Sequence, residues 1–141
     1  MATIISSVFS ISSAHRLLHH EGLCHNLHGH NWEVRVDIYG DPDRDTGMVI
    51  DFHLLKEVVK NYLRPFDHTT ILNTADEDTI RMLQVAGFPF IIVHGEPTCE
   101  NLAKQFFWEL RDLIKAANPL VDIKRITIEE TKGNFAVYER P

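Results

Sequence analysis

His28 and His30 sit two residues apart in a sharply alternating stretch: His28, His30, Trp32, Val34, Val36 and Ile38 share one parity, while Asn31, Glu33, Arg35 and Asp37 take the other. Along a β-strand, residues two apart project from the same face, so both imidazoles extend one apolar face at a spacing that a single metal ion can bridge. A third histidine, His15, ends another alternating stretch in which Ile5, Phe9, Ile11 and His15 share a parity. A neighbouring antiparallel strand would bring it alongside the pair. Three neutral imidazoles suit Zn2+, and three protein ligands leave the fourth tetrahedral position open for water or substrate, the arrangement of a catalytic centre. A lone histidine would read better as a surface or hydrogen-bonded core residue. The His-x-His pair on an apolar face favours His15, His28 and His30 as ligands.

Cys24 precedes the histidine strand with the spacing Cys-x3-His-x-His and is open to two roles. It could close a structural centre as a fourth ligand, or stand beside an open one as a thiol pushed toward thiolate and available as a base. Cys99 competes for the second role, because the first turn of a helix also lowers a thiol pKa; its plainer reading is a small buried hydrophobe. Asp67 and His68 are adjacent, and an acid can orient an imidazole and tune its charge for proton transfer. The same dipeptide also reads as a turn starter beside a solvated histidine. Glu130 shares parity with Ile126 and Ile128, so a carboxylate continues a buried face and needs a partner. An Arg or Lys would serve, as would a ligand presenting a fork of N–H donors, such as a pterin or guanine edge.

A sheet and its covering helices must position these residues. Alternation predicts strands over Thr3 to His15 and His28 to Tyr39, the second ended by the turn residues of Gly40-Asp41-Pro42-Asp43 and Asp45-Thr46-Gly47, with a short strand at Met48 to Ile50. Asp51 is a natural N-cap for a helix over about Phe52 to Arg64, stopped by Pro65. A weaker helix from about Asp76 to Ala86 ends at Gly87, and Phe90 to Val93 is strand-like. Thr98 caps a second strong helix with Leu102, Ala103, Phe106, Leu110, Leu113 and Ile114 on one stripe. Strands at about Ile123 to Glu130 and Phe135 to Glu139 follow, joined at Lys132-Gly133-Asn134. The order predicts an α+β fold: an antiparallel four-stranded sheet with two main helices on one face.

The chain has 141 residues, 44% apolar and 24% charged, with no repeat, linker or low-complexity tract, which predicts one folded domain over residues 1–141. A formal charge of -6 has the wrong sign for a general nucleic-acid or anionic-membrane binder. No run approaches the roughly 20 apolar residues needed to span a bilayer, and the first residues lack a secretory pattern, so a cytoplasmic protein is expected. Two cysteines in a reducing compartment read as thiols.

In chain order, Phe9-Ser10-Ile11-Ser12-Ser13-Ala14-His15-Arg16-Leu17, Cys24-His25-Asn26-Leu27-His28-Gly29-His30-Asn31, Asp67-His68, Pro97-Thr98-Cys99-Glu100-Asn101-Leu102-Ala103 and Glu130-Thr131 resemble the 6-pyruvoyl-tetrahydropterin synthase family, which includes bacterial 6-carboxy-tetrahydropterin synthases. The resemblance implies the tunnelling fold (T-fold), whose subunits join into a trimeric barrel, two trimers usually stacking into a homohexamer with active sites between subunits. Carried over by position, His15, His28 and His30 would bind zinc, Cys24 would abstract a proton, Asp67 and His68 would complete a proton relay, and Glu130 would anchor the pterin ring, with Thr98 near the pterin pocket.

The implied substrate is 7,8-dihydroneopterin triphosphate. In the carboxy-forming branch the implied products are 6-carboxy-5,6,7,8-tetrahydropterin, acetaldehyde and triphosphate, on the route to queuosine; the other branch stops at 6-pyruvoyl-tetrahydropterin, toward biopterin. A non-catalytic zinc-stabilised pterin-binding protein is the third reading. Arg16, Lys104, Arg125 and Lys132 are all candidates to hold the triphosphate. The chain departs from the short bacterial enzymes in two places: it carries extra residues at roughly Thr74 to Gly95, and Phe66 stands where Leu is usual.

Overall fold

The computed structural model describes residues 2–141. Its elements are β1 (Thr3–His15), β2 (His28–Gly40), α1 (Phe52–Leu63), β3 (Thr69–Asn73), α2 (Glu77–Ala86), β4 (Phe90–Val93), α3 (Cys99–Ala117), β5 (Asp122–Thr131) and β6 (Asn134–Glu139), with short 3₁₀ turns at Leu23–His25 and Arg64–Phe66. The strands form one sheet in the order β4-β3-β1-β2-β5-β6. β1, β2, β5 and β6 are antiparallel neighbours, the four strands expected. Beyond them, β3 joins β1 in parallel and β4 joins β3 in parallel, so the sheet is six-stranded and mixed, not four-stranded and antiparallel. The β3–β4 crossover runs through α2.

The expected short strand at Met48 to Ile50 does not form. Val49 and Ile50 are drawn into the core as irregular chain, with the Val49 side chain packed close to Gly40 at the end of β2. The α1 stripe of Leu55, Val59 and Leu63 is buried, and the Asp51 carboxylate accepts the His53 N–H at 2.8 Å as its N-cap. Pro65 converts the last turn to 3₁₀ and turns the chain toward β3. In α3, the Thr98 hydroxyl caps Asn101 N–H, and Leu102, Ala103, Phe106, Phe107, Leu110 and Ile114 are buried. Gly87 ends α2 at φ 77°, a left-handed conformation natural to glycine.

The core lies between one sheet face and the helices α1 and α3. Phe9 and Ile11 of β1, Trp32, Val34, Val36 and Ile38 of β2, and Ile123, Ile126 and Ile128 of β5 form its sheet side. Each such buried side chain contributes about 1.5–3 kcal/mol of transfer free energy. Ile123 and Ile126 differ in parity yet share this face because the β2–β5 register shifts between Asp37 and Ile38. A second irregularity, between Glu129 and Thr131 on the β6 side, leaves Glu130 outside the β5–β6 ladder. Among the described residues, no helix is long and apolar enough to cross a membrane.

Candidate metal centre

The β1–β2 register sets His15 directly opposite His28, with Ser13 opposite His30 and Ile11 opposite Trp32. Period-two geometry then puts His15, His28, His30 and Trp32 on the core-facing side of the sheet. The imidazole centroids are 4.6 Å (His15–His28), 5.0 Å (His15–His30) and 4.9 Å (His28–His30) apart. Trp32, almost wholly buried, meets His15 and His30 edge-on at 4.8 and 5.3 Å and separates them from the aliphatic core. Its indole N–H donates to the Ser13 carbonyl at 3.3 Å.

Two backbone carbonyls fix the tautomers. His15 Nδ1 lies 2.8 Å from the Pro97 carbonyl oxygen and His28 Nδ1 lies 2.6 Å from that of Asn26. A carbonyl only accepts, so each Nδ1 carries the proton and each Nε2 presents a lone pair. Those two Nε2 atoms face each other at 3.1 Å. Two imidazole nitrogens bound to one tetrahedral zinc at ordinary lengths would stand about 3.3 Å apart. His30 Nε2 is buried without a hydrogen-bond partner among the described residues. One donor atom from each of the three histidines lies within 4.8 Å of the others.

Electrostatics favours the neutral, ligating form. Burial, assisted by the two neighbouring imidazoles and opposed by the Pro97 carbonyl, lowers the His15 pKa to about 4. Burial also lowers His30, against the pull of Glu130. The result is a pocket of converging acceptors, two with fixed tautomers and one orphaned, which suits a divalent cation. The donor set fits zinc, and the site's chemistry would then be that of three neutral nitrogen ligands with room for a fourth.

The other predicted residues surround this centre at different distances. Glu130 brings Oε1 within 3.5 Å of His15 Nε2 and 3.7 Å of His30 Nε2, with its side chain 28% exposed, so the carboxylate borders the centre and still reaches solvent. Cys24 sits in the 3₁₀ turn Leu23–His25 as a free, partly exposed thiol and is not among the clustered donors. Cys99 is a poor rival as a base: burial, and then the Glu100 carboxylate 2.9 Å from Sγ, push its pKa up to about 12 despite its place at the start of α3. Thr98 serves as the α3 N-cap, one residue after the carbonyl that orients His15.

Asp67 and His68 are coupled. His68 Nδ1 is 2.9 Å from Asp67 Oδ2, and Asp67 Oδ1 accepts the Ser12 N–H at 2.8 Å. That amide and the imidazole hold the Asp67 carboxyl below the usual carboxylate range, against a small opposing effect of burial. The His68 N–H in turn donates to the Ser12 carbonyl at 2.7 Å, and the residue takes φ 55°, rare for a non-glycine. The backbone is thus bent so that the acid and the ring dock on β1, leaving the imidazole 81% exposed. His68 and His30 line the same cleft of about 880 Å³, which is also lined by Met82, Leu83 and Ala86 of α2 with Phe88 and Pro89. Residues of α2 and of the loop after it thus line a cleft beside His30 and His68. Phe66 fills the core against Tyr62 and Phe106.

Two of the candidate cations are already engaged. Arg16 reaches Asp76 (Nε to Oδ2, 3.3 Å), Thr79 and His25, and Arg125 Nε lies 2.5 Å from the buried Asp37. Sequence reasoning missed Glu96, whose carboxylate accepts from Leu18 N, His19 N and Asn73 Nδ2. A single acid between Gly95 and Pro97 carries no pattern that announces such a role.

A family model described as 6-pyruvoyl tetrahydropterin synthase matches residues 4–141. The 6-carboxy-5,6,7,8-tetrahydropterin synthase of Haemophilus influenzae is 34% identical over 142 residues, covering 96% of this chain and 97% of its own. The protein of the same name from Synechocystis is 35% identical over 130 residues, covering 79% of this chain and 98% of its own. The solved structure of Caenorhabditis elegans 6-pyruvoyl tetrahydropterin synthase matches with a TM-score of 0.75 at 28% identity, covering 100% of this chain and 97% of its own. An uncharacterized protein from Wolinella succinogenes matches with a TM-score of 0.81 at 21% identity, covering 100% of this chain and 99% of its own, and shows a shared fold alone. The fold is of the tunnelling α+β kind, with six strands in the sheet where four were expected.

Proposed function

This chain belongs to the 6-pyruvoyl tetrahydropterin synthase family, and from that premise we propose that it is a zinc-dependent lyase that converts 7,8-dihydroneopterin triphosphate to 6-carboxy-5,6,7,8-tetrahydropterin, releasing acetaldehyde and triphosphate. The observation that carries the reading is the pair of Nδ1–carbonyl bonds at His15 and His28, which turn both Nε2 lone pairs onto the point faced by the orphaned nitrogen of His30. The names of the two curated relatives support the carboxy-forming product.

In this reading His15, His28 and His30 hold the ion, which when bound would polarise the side-chain hydroxyls of the substrate and stabilise negative charge at the neighbouring carbon. Cys24 takes the proton from that carbon. His68 returns a proton to the intermediate, and Asp67 keeps its imidazole in the Nδ1–H tautomer, leaving Nε2 to carry the exchange. Glu130, bordering the centre and open to solvent, accepts the N–H fork of the pterin ring, with Thr98 beside it. Residues 1–141 act as one domain, assembled as a trimer or a hexamer of two stacked trimers, in the cytoplasm, where the two free thiols fit a reducing compartment. The product would feed queuosine synthesis.

A second reading, 6-pyruvoyl-tetrahydropterin formation, is supported by the likeness to the Caenorhabditis elegans enzyme, which extends over the whole of this chain. Incubating the zinc-loaded protein with 7,8-dihydroneopterin triphosphate and weighing the pterin product separates the two. Acetaldehyde with a carboxy-pterin is expected; a pyruvoyl-pterin would select the second, and no consumption of substrate would leave only a binding protein.

A further inference from the structure

Cys24 lies in the connection between β1 and β2, residues 16–27, and packing does little to hold it there. The 3₁₀ turn that carries the thiol has no buried residue and no side-chain cap. A base must nevertheless be held to a fraction of an ångström of its proton, because a misplacement of about 1 Å costs on the order of 10²-fold in rate. Hydrogen bonds therefore have to do what the core does for the histidines.

The strongest of them come from Glu96, on the segment leading into α3. Its Oε1 accepts the Leu18 N–H at 3.0 Å and its Oε2 accepts the His19 N–H at 3.2 Å. The preceding amide, Leu17 N–H, donates to the carbonyl of Cys24 itself at 2.9 Å. One residue, Leu17, thus separates the amide held by the carboxylate from the amide that holds the backbone of the thiol residue. Glu96 is itself held: Asn73 Nδ2 donates to Oε1 at 2.8 Å, and Asn101 Nδ2 donates to the Glu96 carbonyl at 2.9 Å. Burial alone would raise its pKa, but the Asn73 amide and the His19 and Leu18 N–H groups outweigh it and keep the carboxyl below its usual range. An ionised acceptor makes these the strong kind of hydrogen bond. The next residue, Pro97, orients His15 with its carbonyl, so two consecutive residues address the two parts of the site.

We propose that Glu96 is a positioning residue for Cys24, clamping the 17–19 backbone so that the Leu17 amide fixes the turn from which the thiol acts. The proposal rests on the lyase reading above for the role of Cys24. It is tested on the full-length zinc-loaded protein with Glu96→Ala and the isosteric Glu96→Gln, measuring zinc per chain, kcat and KM on 7,8-dihydroneopterin triphosphate, and the rate of Cys24 alkylation by iodoacetamide, located by peptide mass. Glu96→Ala should keep its zinc and hold KM within about 2-fold while kcat falls about 10- to 100-fold, with Cys24 alkylated several-fold faster as the turn loosens. Glu96→Gln keeps an acceptor for one backbone amide and should fall between the parent and Glu96→Ala; it decides the matter alone if the alanine variant does not fold. Loss of zinc, a raised KM with kcat unchanged, or parent-like kcat and alkylation would each overturn the assignment. If the parent protein itself turns over no pterin triphosphate, the lyase reading fails, and the alkylation comparison still decides the clamp.

Discussion

The three histidines and the residues proposed to handle protons are built by different means. His15, His28 and His30 hang from two long paired strands, rest on Trp32 and are fixed in tautomer by backbone carbonyls. Asp67 and His68, just before β3, dock on β1 through the Ser12 amide and carbonyl, and the connection that carries the partly exposed Cys24 donates its Leu18 and His19 amides to Glu96. A ligand set that must keep its geometry with or without its ion is served by packing, which is stiff. Groups that must exchange protons with a substrate need access, and a few directed hydrogen bonds supply order without sealing them.

Substitutions should separate the two regions sharply. His28→Ala should abolish both zinc binding and turnover, read by metal analysis and product formation; retention of one zinc per chain would break the claim that the strand face is the metal site. Cys24→Ala should keep its zinc and lose about 10²- to 10⁴-fold in turnover, the usual worth of a general base. Parent-rate turnover would remove the thiol from the mechanism.

Stability against pH probes the buried side alone. The pKa of His15 is lowered in the folded state to about 4 from an ordinary 6.5, so between those values the unfolded chain binds more protons and folding weakens as pH falls. The contribution is complete above pH 6.5 and lost toward pH 4, on the order of 3 kcal/mol in all. Thermal scans of metal-free protein from pH 7.5 to 4.5 should show a falling Tm, flattened in His15→Gln. An unchanged slope in that variant would mean that the burial of His15 is not the source.

Asp67→Asn should lower kcat about 10- to 100-fold by releasing the His68 tautomer, with zinc content unchanged. A pH–rate profile identical to the parent's would sever the pair. The smallest effect is expected at Trp32→Phe, which keeps an aromatic floor but loses the indole bond to Ser13, costing about 1 kcal/mol by denaturant melt with zinc retained. Loss of the metal there would show that the floor also sets the imidazole geometry.

How much of this could be read from the sequence follows the same division. Alternation in Thr3–His15 and His28–Gly40 exposed both strands and the shared face of the histidines, since period two survives in the residue types when one face is buried. β3 was hidden for the opposite reason: Thr70, Ile71, Leu72 and Asn73 are buried in succession, so no alternation marks them, and their parallel partners lie far away in the chain. The bulge that frees Glu130 leaves no trace in parity. Glu96 was illegible because its two loop partners are backbone amides 77 and 78 residues away, and an amide is the same whatever residue carries it.

One consequence of the β1–β2 pairing concerns the order of events during synthesis. All three imidazoles belong to a single hairpin near the beginning of the chain, so a ribosome has delivered the full donor set long before Pro97, the carbonyl that orients His15, has been made. An ion captured by the emerging hairpin would penalise any slip of its two strands, since a shift of one residue sends an imidazole to the wrong side. The metal would then act first as a proofreader of strand alignment, and only later as a reagent.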